Sequence, residues 1–296
     1  MDILLVISLI FIALEILLFS LFLWLRSDFQ WLIMGKDRRP FLNQKALEKF
    51  IINGYDPELG WVRKPNTENF EKNKNGKTKY TINNIGARTN PGVEEKYPST
   101  VMAIGDSYTF CRQVNDDETW PYFLSKNIEQ NTLNFGVGNF GLDQALLRFK
   151  RELQRHPNVK TLYIGVVPET ISRILCSWKH YSEYGNTFAF KPCFKLHNNK
   201  LKYIPNFINS KEKYHSWQKY EAKIQKYDFF YQSKFKKDIL EFPYSYSLIK
   251  SFKRTLPLVF KLLKRKVSKT DANINAPFQS ILKRNQDYSE SLYQNK

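Results

Sequence analysis

Thr100-Val101-Met102-Ala103-Ile104-Gly105-Asp106-Ser107-Tyr108 is the stretch that decides how this chain is read. A short apolar run closed by a glycine predicts a buried strand that leaves into a tight turn. Ser107 falls in that turn. Further on, Asp117-Glu118-Thr119 is placed to cap a helix running through Trp120, Phe123 and Leu124. Leu133-Asn134-Phe135 predicts a second strand, broken by Gly136, Gly138 and Gly141. Between Asp143 and Gln154, apolar residues at 145, 146, 147, 149 and 153 have helical spacing. Val159 to Val167 predicts a third strand, and Glu169 to Trp178 a helix after it. Three β–α units in succession predict an α/β fold with a parallel sheet and right-handed crossovers.

The flanks read differently. Residues 51–99 are rich in turn formers, with one strand expected at Thr78–Ile82, and look like a peripheral covering on the core. Residues 179–242 are aromatic and basic, with hairpin strands expected at Phe188–Phe194 and Lys200–Ile204 around Asn198-Asn199. From 201 to 270 there are 17 Lys or Arg against 5 Asp or Glu, a net +12 of the chain's +18. Within that block, Leu248 to Lys266 alternates apolar and basic residues around Pro257. Such a segment either lies on anionic lipid or packs on the domain with a solvated basic face, and both readings stand. The last 27 residues are polar.

At the N-terminus, Ile3 to Leu25 is apolar except for Ser8, Glu15 and Ser20. At 1.5 Å per residue it is long enough for the roughly 30 Å hydrocarbon layer. A cleavable signal peptide would carry a basic start, a shorter apolar run and a small-residue cleavage site. Here Asp2 precedes the run and Trp24-Leu25-Arg26 closes it, so a retained single-pass anchor is expected. Trp24, Trp31 and Arg26 read as interfacial anchors, and Glu15 as a neutral carboxyl tolerated in an apolar helix. Arg26, Lys36, Arg38 and Arg39 all follow the run, which leans toward a cytoplasmic domain. Long domains cross regardless of charge, so the side stays open.

The expected organisation is an anchor at 3–25, a juxtamembrane connector at 26–50 and an α/β domain over 51–296. That domain has its core at 99–178 and a basic insertion at about 179–270. Composition supports a packed domain, because 42% apolar and 16% aromatic residues exclude a disordered chain. Three widely spaced cysteines without a CxxC pair argue against a disulfide framework or a zinc cluster. No metal or cofactor is expected. Lys and Arg interleaved with Tyr and Phe can bind nucleic acid. No nucleic-acid motif accompanies them on this tethered chain, so none is expected as a partner.

In an open parallel sheet, ligands bind beyond the carboxyl ends of the strands. The loops leaving those ends are Gly105-Asp106-Ser107-Tyr108, Gly136-Val137-Gly138-Asn139-Phe140-Gly141 and Gly165-Val166-Val167-Pro168-Glu169. Together they are expected to converge on one cleft. A serine between strand and helix exposes its hydroxyl, and the helix start supplies unpaired amides. That geometry suits nucleophilic acyl transfer if a base reaches Ser107.

These blocks, in this order, resemble the SGNH/GDSL hydrolase family over roughly residues 55–205. The likeness includes Tyr55-Asp56-Pro57-Glu58-Leu59-Gly60-Trp61 and Ile82-Asn83-Asn84-Ile85-Gly86-Ala87-Arg88, as in membrane-anchored members. It implies a three-layer parallel-sheet domain, with Ser107 as nucleophile and an oxyanion donor at Gly138 or Asn139. Asp106, Glu169 and His180 are candidates to line the cleft. Two departures follow. Glu169 stands near the position of the family's third-block Asn, and an ionised Glu accepts but cannot donate. It is expected to serve as a first-turn acid favoured by the helix dipole.

The family's Asp-x-x-His base block also has no match. Of His156, His180, His197 and His215, none has Asp three residues earlier, and Glu212-Lys213-Tyr214-His215 alone has a carboxylate at that spacing. The chain is therefore expected to stop short of that block. The implied function is a membrane-anchored serine ester hydrolase or acyl-transfer enzyme acting on an acylated small molecule, glycan or lipid. The alternative is a catalytically silent module of the same fold that binds glycan or a partner.

Overall fold

The computed structural model describes residues 2–28, 32–73 and 76–268. Helix α1 (Ile3–Asp28) is one long apolar rod. Its stretch Ile3–Arg26 is long and apolar enough to cross a membrane, and almost none of it is buried. The exceptions lie along one stripe, where Glu15, Phe22 and Leu25 are covered by protein. Trp31 lies outside the described residues, as does everything after Ser268.

Helix α2 (Gln44–Asn53) is capped by Asn43, whose side chain accepts from the Ala46 amide at 3.0 Å. The short pair β1 (Tyr55–Asp56) and β2 (Gly60–Trp61) follows, then the antiparallel hairpin of β3 (Thr67–Asn73) and β4 (Gly76–Ile82). One strand was expected here and two are paired. Thr67–Asn73 reads Thr-Glu-Asn-Phe-Glu-Lys-Asn, with Phe70 its one apolar residue, so no alternation announces it.

The centre is a parallel sheet of three strands in the order β6 (Thr132–Asn134), β5 (Val101–Ile104), β7 (Thr161–Ile164). Val101 stands opposite Thr132 on one side and Thr161 on the other. Every residue of β5 is buried, as its unbroken apolar run requires. The crossovers carry α3 (Ser107–Phe110), α4 (Trp120–Ile128) and α5 (Leu142–Arg155). Thr119 caps α4 by accepting from the Tyr122 amide at 3.1 Å. The architecture is therefore α/β with one N-terminal apolar helix.

The third strand is shorter and more open than expected. Among the described residues no strand pairs with the outer edge of β7, and Tyr163, Ile164 and Val166 are 41%, 47% and 50% exposed. The helix expected at 169–178 also ends early. Helix α6 (Pro168–Ser172) gives way to a 3₁₀ turn at Arg173–Leu175, and Trp178 forms a bridge with Phe190.

The region read as an insertion builds the largest core. Helix α7 (Lys179–Ser182) leads to the hairpin β8 (Cys193–His197) and β9 (Lys200–Ile204), turned by Asn198 and Asn199 at φ 49° and 55°. Two left-handed turn residues match the twist of a two-residue hairpin, and Asn tolerates both. Phe188–Pro192 is not strand; Phe190 is instead buried against Trp178, Tyr214 and Trp217. Helices α8 (Lys211–His215), α9 (Glu221–Tyr227) and α10 (Lys236–Asp238) complete this part. Its cluster of Trp178, Tyr181, Phe190, Tyr214, Trp217 and Phe235 takes in Ile33 and Leu47. Ile33, Leu42, Leu47 and Phe50, within the stretch read as a connector, pack against this aromatic wall.

Two last helices, α11 (Tyr244–Lys250) and α12 (Phe252–Ser268), pack on α1. Phe22 and Leu25 of α1 share a core with Leu240, Val259 and Leu262. Packing thus accounts for one stripe of the 248–266 segment. Glu15 also departs from expectation, for it is 4% exposed and its carboxylate accepts from the Ser245 amide at 3.0 Å. It accepts as well from the Tyr244 amide and the Ser245 hydroxyl. A carboxylate that caps a helix start has partners that a lone carboxyl in lipid lacks.

Candidate active site

Strand β5 delivers its chain into Gly105 at φ 150°. A Cβ on Gly105 would stand 2.2 Å from the Thr109 hydroxyl and 2.9 Å from the Gly165 carbonyl, so the exits of β5 and β7 touch. Only glycine permits that approach. Asp106 then caps α3, its side chain accepting from the Tyr108 amide at 2.9 Å. Ser107 is the first residue of α3 and is half-buried. Its hydroxyl is hydrogen-bonded to none of the described residues.

The second loop passes beside that serine. Asn134 fastens it, donating from Nδ2 to the Thr109 carbonyl and accepting the Gly136 amide, each at 3.0 Å. The Val137 amide donates to the Gly105 carbonyl at 3.1 Å. A Cβ built on Gly138 would lie 4.0 Å from Cβ of Ser107. The Trp61 indole donates to the Gly138 carbonyl at 3.0 Å, and Asn139 is exposed at φ 69°. The amides of Ser107, Gly138 and Asn139 donate to no protein acceptor among the described residues. Unpaired amides beside a serine are what a developing oxyanion needs.

Two arginines hold this arrangement. Arg88, buried, donates to Asp116 at 2.8 Å and to the carbonyls of Phe110 and Cys111 at 2.6 Å, which fixes the end of α3. The same residue hangs the β3–β4 hairpin on the sheet, through its amide to the Asn134 carbonyl at 2.9 Å. Asp116 therefore works as an arginine partner, and also accepts the Thr81 amide at 2.9 Å. Arg173 lies 3.5 Å from Asp106, 2.9 Å from Glu183 and 3.3 Å from the Phe140 carbonyl. Behind it, the buried Lys191 ammonium meets Asp143 at 2.5 Å and the carbonyls of Arg173, Cys176 and Pro192.

Burial raises the Asp106 carboxyl above its usual range, opposed by the Tyr108 amide and Arg173 and reinforced by the charge of Glu169. Glu169 is thus close enough to act on Asp106. It sits half-buried in the first turn of α6, and it is not hydrogen-bonded to Ser107. A carboxylate in that turn complements the helix dipole.

The histidines lie elsewhere. His180 is buried against Trp178, its Nδ1 accepting the Gly185 amide at 3.3 Å while Nε2 lies 3.5 Å from the Asp37 carbonyl. That pairing places the proton on Nε2, and burial lowers its pKa to about 4. The His156 ring lies 5.8 Å from that of Phe135, tilted to it by 35°. His197 ends β8, and His215 ends α8, both exposed. None is hydrogen-bonded to Ser107. The structure brings Ser107 and Gly138 together with Asp106 beside the serine, leaves Glu169 acting on Asp106 by its charge alone, and sets His180 in a different pocket.

One cavity meets the site at Asn139, and a second neighbours the first. The first, about 320 Å³, has Asn139, Trp61, Phe50 and Phe188 in its wall. The other, about 680 Å³, has Arg26, Lys36 and His180, and both share Gly185 and Thr187. No group of three His, Cys, Asp or Glu among the described residues is placed to hold a metal. Burial pushes the thiols of Cys176 and Cys193 up to about 12, so both stay protonated. Sequence reasoning passed over Trp61, Arg88 and Arg173 as individuals, although all three lie in stretches quoted above. A single buried cation has no local signature, since its partners are distant in sequence.

No family model matches the chain, and no curated protein matches it.

Proposed function

We propose that this chain is a serine-dependent ester hydrolase or acyl-transfer protein of the SGNH/GDSL kind, held to a membrane by α1 as a single span. The observation that carries this reading is the 4.0 Å between the Ser107 Cβ and a Cβ built on Gly138, with unpaired amides on both sides. In the reaction, Ser107 Oγ attacks an acyl carbonyl carbon and the carbonyl oxygen takes the negative charge. The amides of Ser107, Gly138 and Asn139 receive that charge. The ester bond to the leaving alcohol then breaks, that alcohol carrying away the proton given up by Ser107 Oγ, and water or an acceptor hydroxyl releases the acyl group and returns a proton to Oγ. The aromatic-walled cavity beside Asn139 has room for an acyl group or a single sugar ring, which suits an acylated glycan or lipid.

A second reading has its own observation: no His, Asp or Glu among the described residues is hydrogen-bonded to the Ser107 hydroxyl. A serine without a base favours a silent module that binds glycan or a partner in the same cleft. Fluorophosphonate labelling of the detergent-solubilised full chain separates the two. An adduct on the parent that Ser107→Ala abolishes supports the enzyme. A parent that takes no label while a known serine esterase does so alongside makes it the silent module.

A further inference from the structure

Glu15 lies ten residues inside the apolar run that ends at Leu25, which places it about 15 Å along the helix from that end. If the hydrocarbon layer begins at Ile3 instead, its far boundary falls near Phe22 and Glu15 is still roughly 10 Å within it. The 242–245 turn reaches this depth. The Phe242 ring lies 6.4 Å from that of Phe11, the Tyr244 ring stacks at 5.4 Å on Phe19, and Ser245 binds Glu15. Phe11, Glu15, Phe19 and Phe22 fall on one stripe of α1, so α11 lies along the helix rather than touching only its end.

From this we propose that α11 and α12 form a wedge sunk in the bilayer leaflet nearest the domain, with phospholipid rather than water against their outer faces. The proposal rests on α1 spanning the membrane and goes beyond that single span. Three features support it. Phe242, Tyr246, Ile249, Phe252 and Phe260 are 66%, 61%, 70%, 49% and 61% exposed, an apolar surface continuous with the bare side chains of α1. Most of the turn's polar backbone is partnered internally, as hydrocarbon demands, with the Phe242 amide the exception among the described residues. Leu240 exchanges hydrogen bonds with Ile33 and Gly35 at 2.8 Å, Ser247 spans Glu241, and Pro243 has no amide hydrogen. The Tyr244 and Ser245 amides, orphans at a helix start, find the Glu15 carboxylate. That requirement explains an acidic residue inside an apolar span.

The third feature is charge. Exposed Lys253, Lys261 and Lys264 alternate with Phe252 and Phe260 on α12, and Lys266 sits 4.5 Å over the Trp24 ring. Lysines beside an interfacial tryptophan suit anionic headgroups, to which their long stems snorkel. The acidic neighbour of the turn, Glu241, is paired with Arg38 at 2.9 Å.

Nitroxide scanning tests the wedge. The full chain with Cys111→Ser is labelled singly at Phe242→Cys, Tyr246→Cys, Phe11→Cys or Lys202→Cys in phosphatidylcholine–phosphatidylglycerol vesicles. Cys176 and Cys193 are buried and stay unlabelled. The oxygen-to-nickel collision ratio at 242 and 246 is expected to match position 11 and to exceed exposed position 202 severalfold. Nickel access at 242 and 246 with an oxygen-rich position 11 overturns the wedge and leaves the span standing. Exclusion of both reagents there shows protein cover and also overturns it. Nickel access at position 11 removes the span and the wedge together. Both side chains at 242 and 246 are largely exposed, and agreement between the two sites guards against a disturbance from losing the Phe242–Phe11 contact.

Discussion

The guanidinium of Arg173 lies 3.5 Å from the Asp106 carboxylate, so the residue that follows α6 holds the residue just before Ser107. Through Phe140 and Glu183 the same side chain reaches the second loop and α7. Nearly buried, it joins three segments that would otherwise meet as separate loops.

Arg173→Met leaves two mostly buried carboxylates, Asp106 and Glu183, short of a partner. Removing one side of a buried ion pair costs about 3–5 kcal/mol. Chemical denaturation of the solubilised chain should show a loss of that size. Ser107 labelling should slow in the fraction that remains folded, because Asp106 caps the serine's helix.

Gly138→Ala tests the cleft without disturbing the fold. Gly138 has ordinary backbone angles, and its new methyl would meet Ser107 at van der Waals distance. The methyl occupies the space where the acyl oxygen must sit. Misplacing reacting atoms by about 1 Å costs on the order of a hundredfold in rate. Fluorophosphonate labelling should therefore fall by about that factor, with the melting temperature unchanged.

His180 supplies a pH dependence of known sign. Its pKa is about 4 in the folded chain against 6.5 unfolded, so between those values the unfolded state binds the extra proton. Stability from this group is fully present above pH 6.5 and is lost as pH falls toward 4, by roughly 3 kcal/mol. His180→Phe keeps the ring packing against Trp178 and removes that slope. Unfolding midpoints of parent and variant measured across this range should lie closest at the neutral end and separate on acidification, the parent falling below the variant.

Glu15→Leu removes the acceptor for two amides and a hydroxyl at the start of α11. Glu15→Gln retains a carbonyl oxygen for one of them. Thermal unfolding in detergent should fall for both, further for Leu, and protease cleavage near 240–250 should quicken in the same order.

The strands and their glycine exits were legible because both signals are local. Val101–Ile104 announces itself by an unbroken apolar run, and Gly105, Gly136 and Gly138 mark the bends that follow. The helix at 142–155 was also plain from its spacing. Long-range partnerships were not legible. Trp61 reaches Gly138 across 77 residues, and Lys191 reaches Asp143 across 48. Nothing near either residue foretells its partner. The hairpin strand Thr67–Asn73 escaped because its polar sequence gains strand geometry only by pairing with β4. Glu15 was read as solitary because its acceptor role depends on a helix more than 220 residues downstream.

Among the described residues no strand pairs with the outer flank of β7, and an open edge is a template. That edge, beside the exposed Tyr163 and Ile164, can accept an extended peptide, including the same strand of another copy. Tethering by α1 would confine copies to a plane, where such encounters are more frequent than in free solution. Pairing of that edge with its own copy would occupy both flanks at once and stop at a dimer.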